Sequence, residues 1–556
     1  MMQTRKLWKH GTGLLLLMTG VLALLAAVHF LDVRAGVWES GDSWQISRYL
    51  VLAAVGTMSA AAAGVLLLRN RCRLETVFII SALAFGSLYL YILPPLSAPD
   101  EARHYISAYQ LSNRLMGLPA VGEDGKVPVR EEDWFAEDSC RDFDAYVTAD
   151  GALATDEEGA DGAKVLGQVL TAETYRLLHE KGTAWEEPRR AADGSYGNGT
   201  ALSNHHPVVT TPLAYLMPAL GITLARLIGL NCTGLLYFGC LFNLILFTAA
   251  TYLSLRRLPF GREVLFGVTL LPMVIQLSAS FSYDTFIMAG IFYFTAHCLY
   301  LAYEAERVRP LDILILALVM AAVGPCKMVY TVFMGLCLLI PARKFGTWGK
   351  WLLSAVCVLG AWGAAMALIN GQTVASYAAE TENYIDWAGE AGYSFAMLVH
   401  QPVRCLQLFF NTVIWQAEYW HMTVIGAYLG NIDTVLDVPY VLVVFFTVGL
   451  LGLALRKPGD SLVLVGGRRL WIWFLCLLCA GAVMFSMLLA WTPVSSRIIC
   501  GVQGRYFLPF LPILLMTWKN DMVVLTDNHD RSLLYLMCCA NVYIVFRIFS
   551  IVCMRL

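Results

Sequence analysis

The chain has 556 residues, of which 58% are hydrophobic and only 14% charged, with a formal net charge of -2. That balance excludes an ordinary soluble globular protein and points to a multi-pass membrane protein, all-α in fold class. Nucleic acid is excluded as a partner, because no basic stripe is interleaved with aromatics.

The charge is segregated along the chain. Segment 97–206 holds 21 acids against 10 bases, while elsewhere bases prevail and lie in short loops beside apolar runs, where they report topology. Arg5, Lys6 and Lys9 precede an apolar run over 14–31 with no small-residue cleavage pattern behind it. This predicts an uncleaved first helix that starts in the cytoplasm. A second run over 48–68 ends in Arg69, Arg71 and Arg73, and a third covers 75–93, so the positive-inside rule places the segment after Pro95 outside.

Windows of about twenty apolar residues predict about thirteen spans in all. The remaining ones are expected over 235–255, 265–281, 285–303, 311–324, 329–340, 351–369, 440–455, 470–491, 506–516 and 533–552. Segment 212–228 is apolar but holds Pro212, Pro218 and Arg226, and a full crossing there would put Arg256 and Arg257 outside. It is therefore read as an interfacial helix, and 394–415 is read likewise, supported by Trp415, Tyr419 and Trp420.

The expected organisation is N-terminal membrane helices over 1–74, a helix leading to an acidic motif over 75–95, and a large acidic extracytoplasmic loop with a juxtamembrane helix over 96–233. Membrane helices follow over 234–370, then a second extracytoplasmic loop over 371–438 and C-terminal membrane helices over 439–556. The stretch 123–194 is expected to be an irregular excursion with a short helix over 172–180, since it has few large apolar residues for a core. Most of the fifteen cysteines lie in apolar runs and are read as small hydrophobes, Cys476 and Cys479 included.

Ionisable groups at a membrane edge mark a substrate path, because they are costly in lipid. Loop charges place Asp100 and Glu101, Tyr283 and Asp284, Lys327, and Gln503 to Tyr506 on one external plane. A carboxylate beside a hydroxyl serves as a general base, and Lys and Arg hold a phosphate leaving group. Sugar transfer from a lipid-linked phosphate uses both. The competing reading of Asp100 is a helix cap. Glu101 and His104 share a helix face at a spacing compatible with a divalent metal, and Asp284 is either part of the same charged plane or the cap of the next helix. His205 and His206 are either the border of the same pocket or solvated surface, and Lys327 either binds substrate or snorkels.

Pro94, Pro95, Pro99, Asp100, Glu101, His104, Tyr105, Ala108, Tyr109 and Gln110, the stretch from His206 and Pro207 to Tyr215, the run Ser282, Tyr283, Asp284, the trio Cys326, Lys327, Tyr330, and the run from Gln503 to Pro509 together carry a resemblance. Over about 82–516 the chain resembles the bacterial membrane proteins catalogued as domain of unknown function 2142. That family is similar in layout to the GT-C class of glycosyltransferases. In those enzymes an acidic pair in the first long external loop lies at the active site, followed by juxtamembrane helices with a His-Pro-Pro or Pro-Pro signature. Here the later signature reads His206, Pro207, Val208 and Thr211, Pro212, Leu213, without tandem prolines.

The resemblance implies a GT-C-like bundle in the bacterial cytoplasmic membrane. Its partners are membrane lipids, a polyprenyl-phosphate-linked sugar donor and a cell-envelope glycan or lipid acceptor. Asp100 is the implied base, with Glu101 or Asp284 as a second catalytic carboxylate or metal ligand. His104, Tyr105, His206, Tyr283, Lys327, Gln503 and Arg505 are the expected substrate-binding residues, Lys327 and Arg505 on the phosphate, and Tyr105, Tyr283 or Trp415 stacking on sugar or bordering the lipid groove. The alternatives are a transporter or flippase of lipid-linked glycans, and a non-catalytic envelope-assembly protein.

Overall fold

The computed structural model describes residues 2–70, 72–133, 146–147, 153–154, 170–183, 199–378, 383–385, 387–460, 464 and 466–555. Most of the acidic stretch 123–194 lies outside them. The described part is mostly helical, with a few two-stranded pairings such as Pro128–Arg130 against Thr200–Leu202.

The helices in chain order begin with α1 (Met2–Ser40), α2 (Trp44–Leu68), α3 (Leu74–Ile92), α4 (Glu101–Leu115) and α5 (Ala172–Thr183). Next come α6 (Leu216–Leu227), α7 (Cys232–Arg257), α8 (Arg262–Thr269), α9 (Pro272–Ser278), α10 (Asp284–Tyr303) and α11 (Pro310–Val323). The last are α12 (Trp348–Ala378), α13 (Phe395–His400), α14 (Pro402–Ile425), α15 (Tyr440–Ala454), α16 (Gly467–Trp491), α17 (Leu511–Met516) and α18 (Asp530–Met554).

Among the described residues, eight of these are long and apolar enough to cross a membrane: α1, α2, α3, α7, α10, α12, α16 and α18. Buried and exposed shares separate their places. α10 and α18 are the core of the bundle, whereas α1 and α12 turn most of their apolar surface outward. Outward Leu and Val faces on such helices are what lipid contact requires.

Several expected crossings take other forms. The run over 265–281 divides into α8 and α9, because Pro272 has no N–H to continue the ladder and Leu271 before it is extended (φ -65, ψ 134). The break leaves the Leu270 carbonyl without a helical donor, and Asn541 Nδ2 from α18 supplies one at 2.9 Å. Asn541 Oδ1 in turn accepts from Tyr89 Oη at 2.7 Å. One buried amide thus ties α3, α18 and the break together.

The run over 329–340 is a twelve-residue 3₁₀ helix, Met328–Leu339, whose steeper rise stretches it to about 24 Å. The run over 506–516 is a 3₁₀ turn, Gly504–Phe507, followed by the short α17. The apolar segment over 212–228 forms a 3₁₀ turn, Pro212–Tyr215, and the twelve-residue α6, about 18 Å of helix and too short to span. The run over 394–415 becomes α13 and the 24-residue α14. The end of the bundle that carries the short basic turns is pinned by buried charge: Lys519 Nζ meets Glu263 Oε1 at 2.9 Å and Asp460 Oδ2 at 3.1 Å.

Candidate functional site

Asp100 stands between α3 and α4, at the start of α4, with a left-handed backbone (φ 59). Such a conformation is uncommon for a residue with a side chain. The side chain does not cap the helix; Oδ2 instead accepts a hydrogen bond from Arg505 Nη2 at 2.9 Å. Of the two readings open from sequence, general base and helix cap, the cap is not formed; the carboxylate is paired with Arg505 instead.

Glu101 holds this turn in place. Its Oε2 accepts from the Ala98 amide at 2.7 Å and its Oε1 from the Phe281 amide at 2.9 Å, with the Cys240 thiol donating to Oε1 at 3.6 Å. Burial pushes the Glu101 carboxyl above its ordinary range, the backbone donors opposing. This carboxylate looks into the protein and joins α4 to the segment before α10.

Arg505 comes from the 3₁₀ turn Gly504–Phe507. That turn lies directly on α14, where the Gly504 amide donates to Thr423 Oγ1 at 2.8 Å. A Cβ on Gly504 would collide with the Trp420 carbonyl and the Val424 amide, so only glycine permits the approach.

Asp284, the first residue of α10, completes the arrangement. Its Oδ1 accepts from Lys327 Nζ at 3.0 Å and its Oδ2 lies 3.5 Å from Arg505 Nη1. Carboxylate and cation alternate through Asp100, Arg505, Asp284 and Lys327. Asp284 and Arg505 are 5% and 4% exposed, whereas the Asp100 side chain is 64% exposed. The buried pair is costly to desolvate and needs its partners; Asp100 is the member open to the outside.

Aromatic rings enclose the cations. Lys327 Nζ stands 4.1 Å from the Tyr506 ring centroid and 5.0 Å from that of Tyr283, within cation–π range. Burial opposes the Lys327 charge, but Asp284 with Tyr283 and Tyr506 more than offsets it and raises the ammonium above its ordinary value. His104 packs at a tilt against Tyr283, centroids 4.6 Å apart, and its Nδ1 pairs with Tyr215 Oη at 2.7 Å. Burial lowers His104 to about 4, despite Asp100 and Asp284, so it is neutral at pH 7. For Asp100, loss of water favours the neutral acid, but Arg505 and other nearby positive charge prevail and hold it below the usual carboxylate range.

One cavity reaches Lys327 of the charged cluster, and a second reaches Tyr215, the partner of His104. One, of about 490 Å³, is lined by Cys326, Lys327, Val329, Tyr330, Val483, Phe485, Met487, Leu489 and Tyr506 among others, an apolar groove between the 3₁₀ helix Met328–Leu339 and α16 that ends on an ammonium. The other, of about 240 Å³, lies between α4 and the strap from Pro207 to Pro212.

The sequence-predicted residues divide accordingly. Asp100, Asp284, Lys327 and Arg505 meet, with His104 and Tyr283 against them. Tyr105 does not line the site: it is 1% exposed and packs edge-on against Tyr109 and Phe281, so it has no free face for a sugar. His206 is exposed beside Gly125 and has no hydrogen bond to the charged cluster among the described residues. Trp415 is 58% exposed on the outer face of α14. Gln503 precedes the Arg505 turn with its Oε1 buried and unpartnered among the described residues.

The metal candidates Glu101, His104 and Asp284 do not make a ligand set. Glu101 is committed to backbone amides and Asp284 to cations, and no group of three or more His, Cys, Asp or Glu that could hold a metal occurs among the described residues. Tyr506 and Tyr215 were not singled out from sequence, although both sit inside the motifs at Gln503 to Pro509 and His206 to Tyr215; their aromatic type next to charged residues was the available signal.

The chain belongs to the family described as predicted membrane protein (DUF2142), whose family model matches residues 83–514. No curated protein and no solved structure matches it.

Proposed function

We propose that this family member is a membrane glycosyltransferase of GT-C type, moving a sugar from a polyprenyl-phosphate donor to a cell-envelope acceptor on the outer face of the bacterial cytoplasmic membrane. Its eight long helices and the shorter apolar segments between them would together make about thirteen crossings. The observation that carries the reading is the apolar groove that ends on Lys327 and Tyr506, two ion pairs away from Arg505 and three from the exposed Asp100. An amphiphile with a long apolar tail and a phosphate head matches that sequence of surfaces.

In the proposed reaction the acceptor hydroxyl oxygen bonds to the anomeric carbon as the bond from that carbon to the phosphate oxygen breaks. The hydroxyl proton passes to the Asp100 carboxylate, and the electron pair leaves with the phosphate. One displacement inverts the anomeric centre. Lys327 and Arg505 stabilise the charge that grows on the leaving phosphate, where fixed cations in a water-poor site are most effective. Asp284 keeps both cations in place before the donor arrives, and its charge with that of Asp100 balances theirs. The resting site is then neutral, which suits a donor phosphodiester with a single negative charge. Of the atoms buried and unpartnered among the described residues, Gln503 Oε1 would accept from a sugar hydroxyl and Arg505 Nε would donate to a sugar or phosphate oxygen.

The test is transfer of radiolabelled sugar from polyprenyl phosphate to isolated envelope by the full chain in nanodiscs. Asp100→Asn lowers turnover by about 10²–10⁴, the span of general-base effects, with donor binding unchanged, while Lys327→Met weakens donor binding. Unaltered turnover in Asp100→Asn removes the assigned base.

A further inference from the structure

The smaller cavity has no part in holding the donor as described, and its charge is unlike that of the main cluster. Ser107, Gln110 and Arg114 form its floor, at positions 107, 110 and 114 of α4, one face of the helix. Thr210 and Tyr215 close the far side. Arg114 is the one charged residue of its lining. It is exposed and has no carboxylate partner among the described residues. Directly behind α4, Arg226 is 4% exposed and spends its donors on Asn113 Oδ1 at 2.8 Å and Ser112 Oγ at 3.2 Å, its guanidinium 4.8 Å from the Tyr109 ring centroid. It too has no acidic partner among the described residues. Among the described residues the lining of the cavity therefore carries one positive charge and no counter-charge. A last-turn arginine complements its own helix dipole, but this accounts neither for the cavity nor for the second cation.

The cavity is also wired to the reacting groups. Tyr215 Oη is bonded to His104 Nδ1 at 2.7 Å. Thr210 Oγ1 donates to the Pro325 carbonyl at 3.4 Å, two residues before Lys327. The Val208 amide donates to Ser107 Oγ at 2.8 Å, which fixes the strap over the cavity. Ser107 lies seven residues along α4 from Asp100, about 10 Å along the helix axis, within reach of a short saccharide whose terminal hydroxyl sits at the base.

We propose that this cavity is the acceptor subsite and that it takes an anionic saccharide, whose carboxylate or phosphate is bound by Arg114 and whose hydroxyls meet Ser107, Gln110 and Thr210. The proposal rests on the transferase reading for its place in the reaction, but binding is measurable without turnover. Saturation-transfer NMR on the full chain in detergent, with glucuronic acid, glucose 6-phosphate and glucose as probes, tests it. At least one anionic sugar binds and glucose binds at least tenfold more weakly; which anionic sugar binds identifies the acidic group. Arg114→Gln abolishes that preference and Arg114→Lys retains most of it, while Asp100→Asn leaves binding unchanged. Equal binding of all three sugars, binding of none, or an Arg114→Gln chain with the preference intact overturns the subsite. If the preference is present and depends on Arg114, yet the wild-type chain transfers no sugar, the subsite stands and the transferase reading falls.

Discussion

Asp100 and Arg505 stand 405 positions apart in the chain and 2.9 Å apart in the fold. The pair is asymmetric: Arg505 is buried and shared with Asp284, whereas most of the Asp100 side chain meets the outside. Removing the Asp100 charge leaves Arg505 one buried partner, so Asp100→Asn should cost less than about 1 kcal/mol, as for exposed pairs. Thermal unfolding in detergent should place its Tm close to wild type, which separates the chemical loss from a folding defect.

Asp284→Asn should behave in the opposite way. It strips Lys327 and Arg505 of the carboxylate between them, and an uncompensated buried charge costs about 3–5 kcal/mol. A marked fall in Tm is expected, with partial recovery in Asp284→Leu combined with Lys327→Met. An Asp284→Asn protein as stable as wild type would mean that water already neutralises the cations.

Acid should destabilise the protein through His104. Its value falls from 6.5 to about 4 on folding, so between those pH values the unfolded chain binds the extra proton. Stability is complete above about pH 6.5 and falls by about 3 kcal/mol as pH drops to about 4. Asp100 adds a loss in the same direction at lower pH, since its folded value lies below its ordinary one. Unfolding measured from pH 4 to 7 should show a slope that His104→Gln flattens.

Gly504→Ala should disable the site without touching a charge. The added methyl meets the Trp420 carbonyl and the Val424 amide, neither of which moves independently of α14. Overpacking of this kind costs about 1–3 kcal/mol, and the displaced turn carries Arg505 away from Asp100. Transfer should fall at least as far as in Arg505→Lys.

Ser486→Trp tests the groove. Ser486 is an exposed residue of its lining on α16, so a large side chain there fills space without disturbing the core. Binding of a long polyprenyl phosphate should weaken at least tenfold, while a short-chain analogue binds as before. Equal loss for both chain lengths would place the lipid elsewhere.

Much of the architecture is legible in the residues themselves. Apolar runs of membrane length appear as α1, α2, α3, α7, α10, α12, α16 and α18, because in lipid a helix is the one local solution that satisfies every backbone group within the segment. Two of the runs that depart from this carry proline: Pro272 divides α8 from α9, and Pro509 and Pro512 accompany the short turns before and within α17. Their hydrophobicity signalled burial, and only their packing decided the broken form. The metal candidates failed for a related reason. The spacing of Glu101 and His104 fixes a common helix face, but it cannot say that Glu101 will meet the Phe281 amide 180 positions away.

By itself, then, the sequence determined the class of the protein, the location of most long helices and the set of charged residues at the ends of apolar runs, since each of these follows from local composition and the length of chain that lipid accepts. The tertiary structure decided which of those charges touch. It joined Asp100 to Arg505 and Asp284 to Lys327, gave the Glu101 carboxylate to the backbone, buried the face of Tyr105 and left His206 aside. The reason is physical: a buried charge is costly without a partner, and the partners lie from 43 to 405 positions away, chosen by how the helices pack.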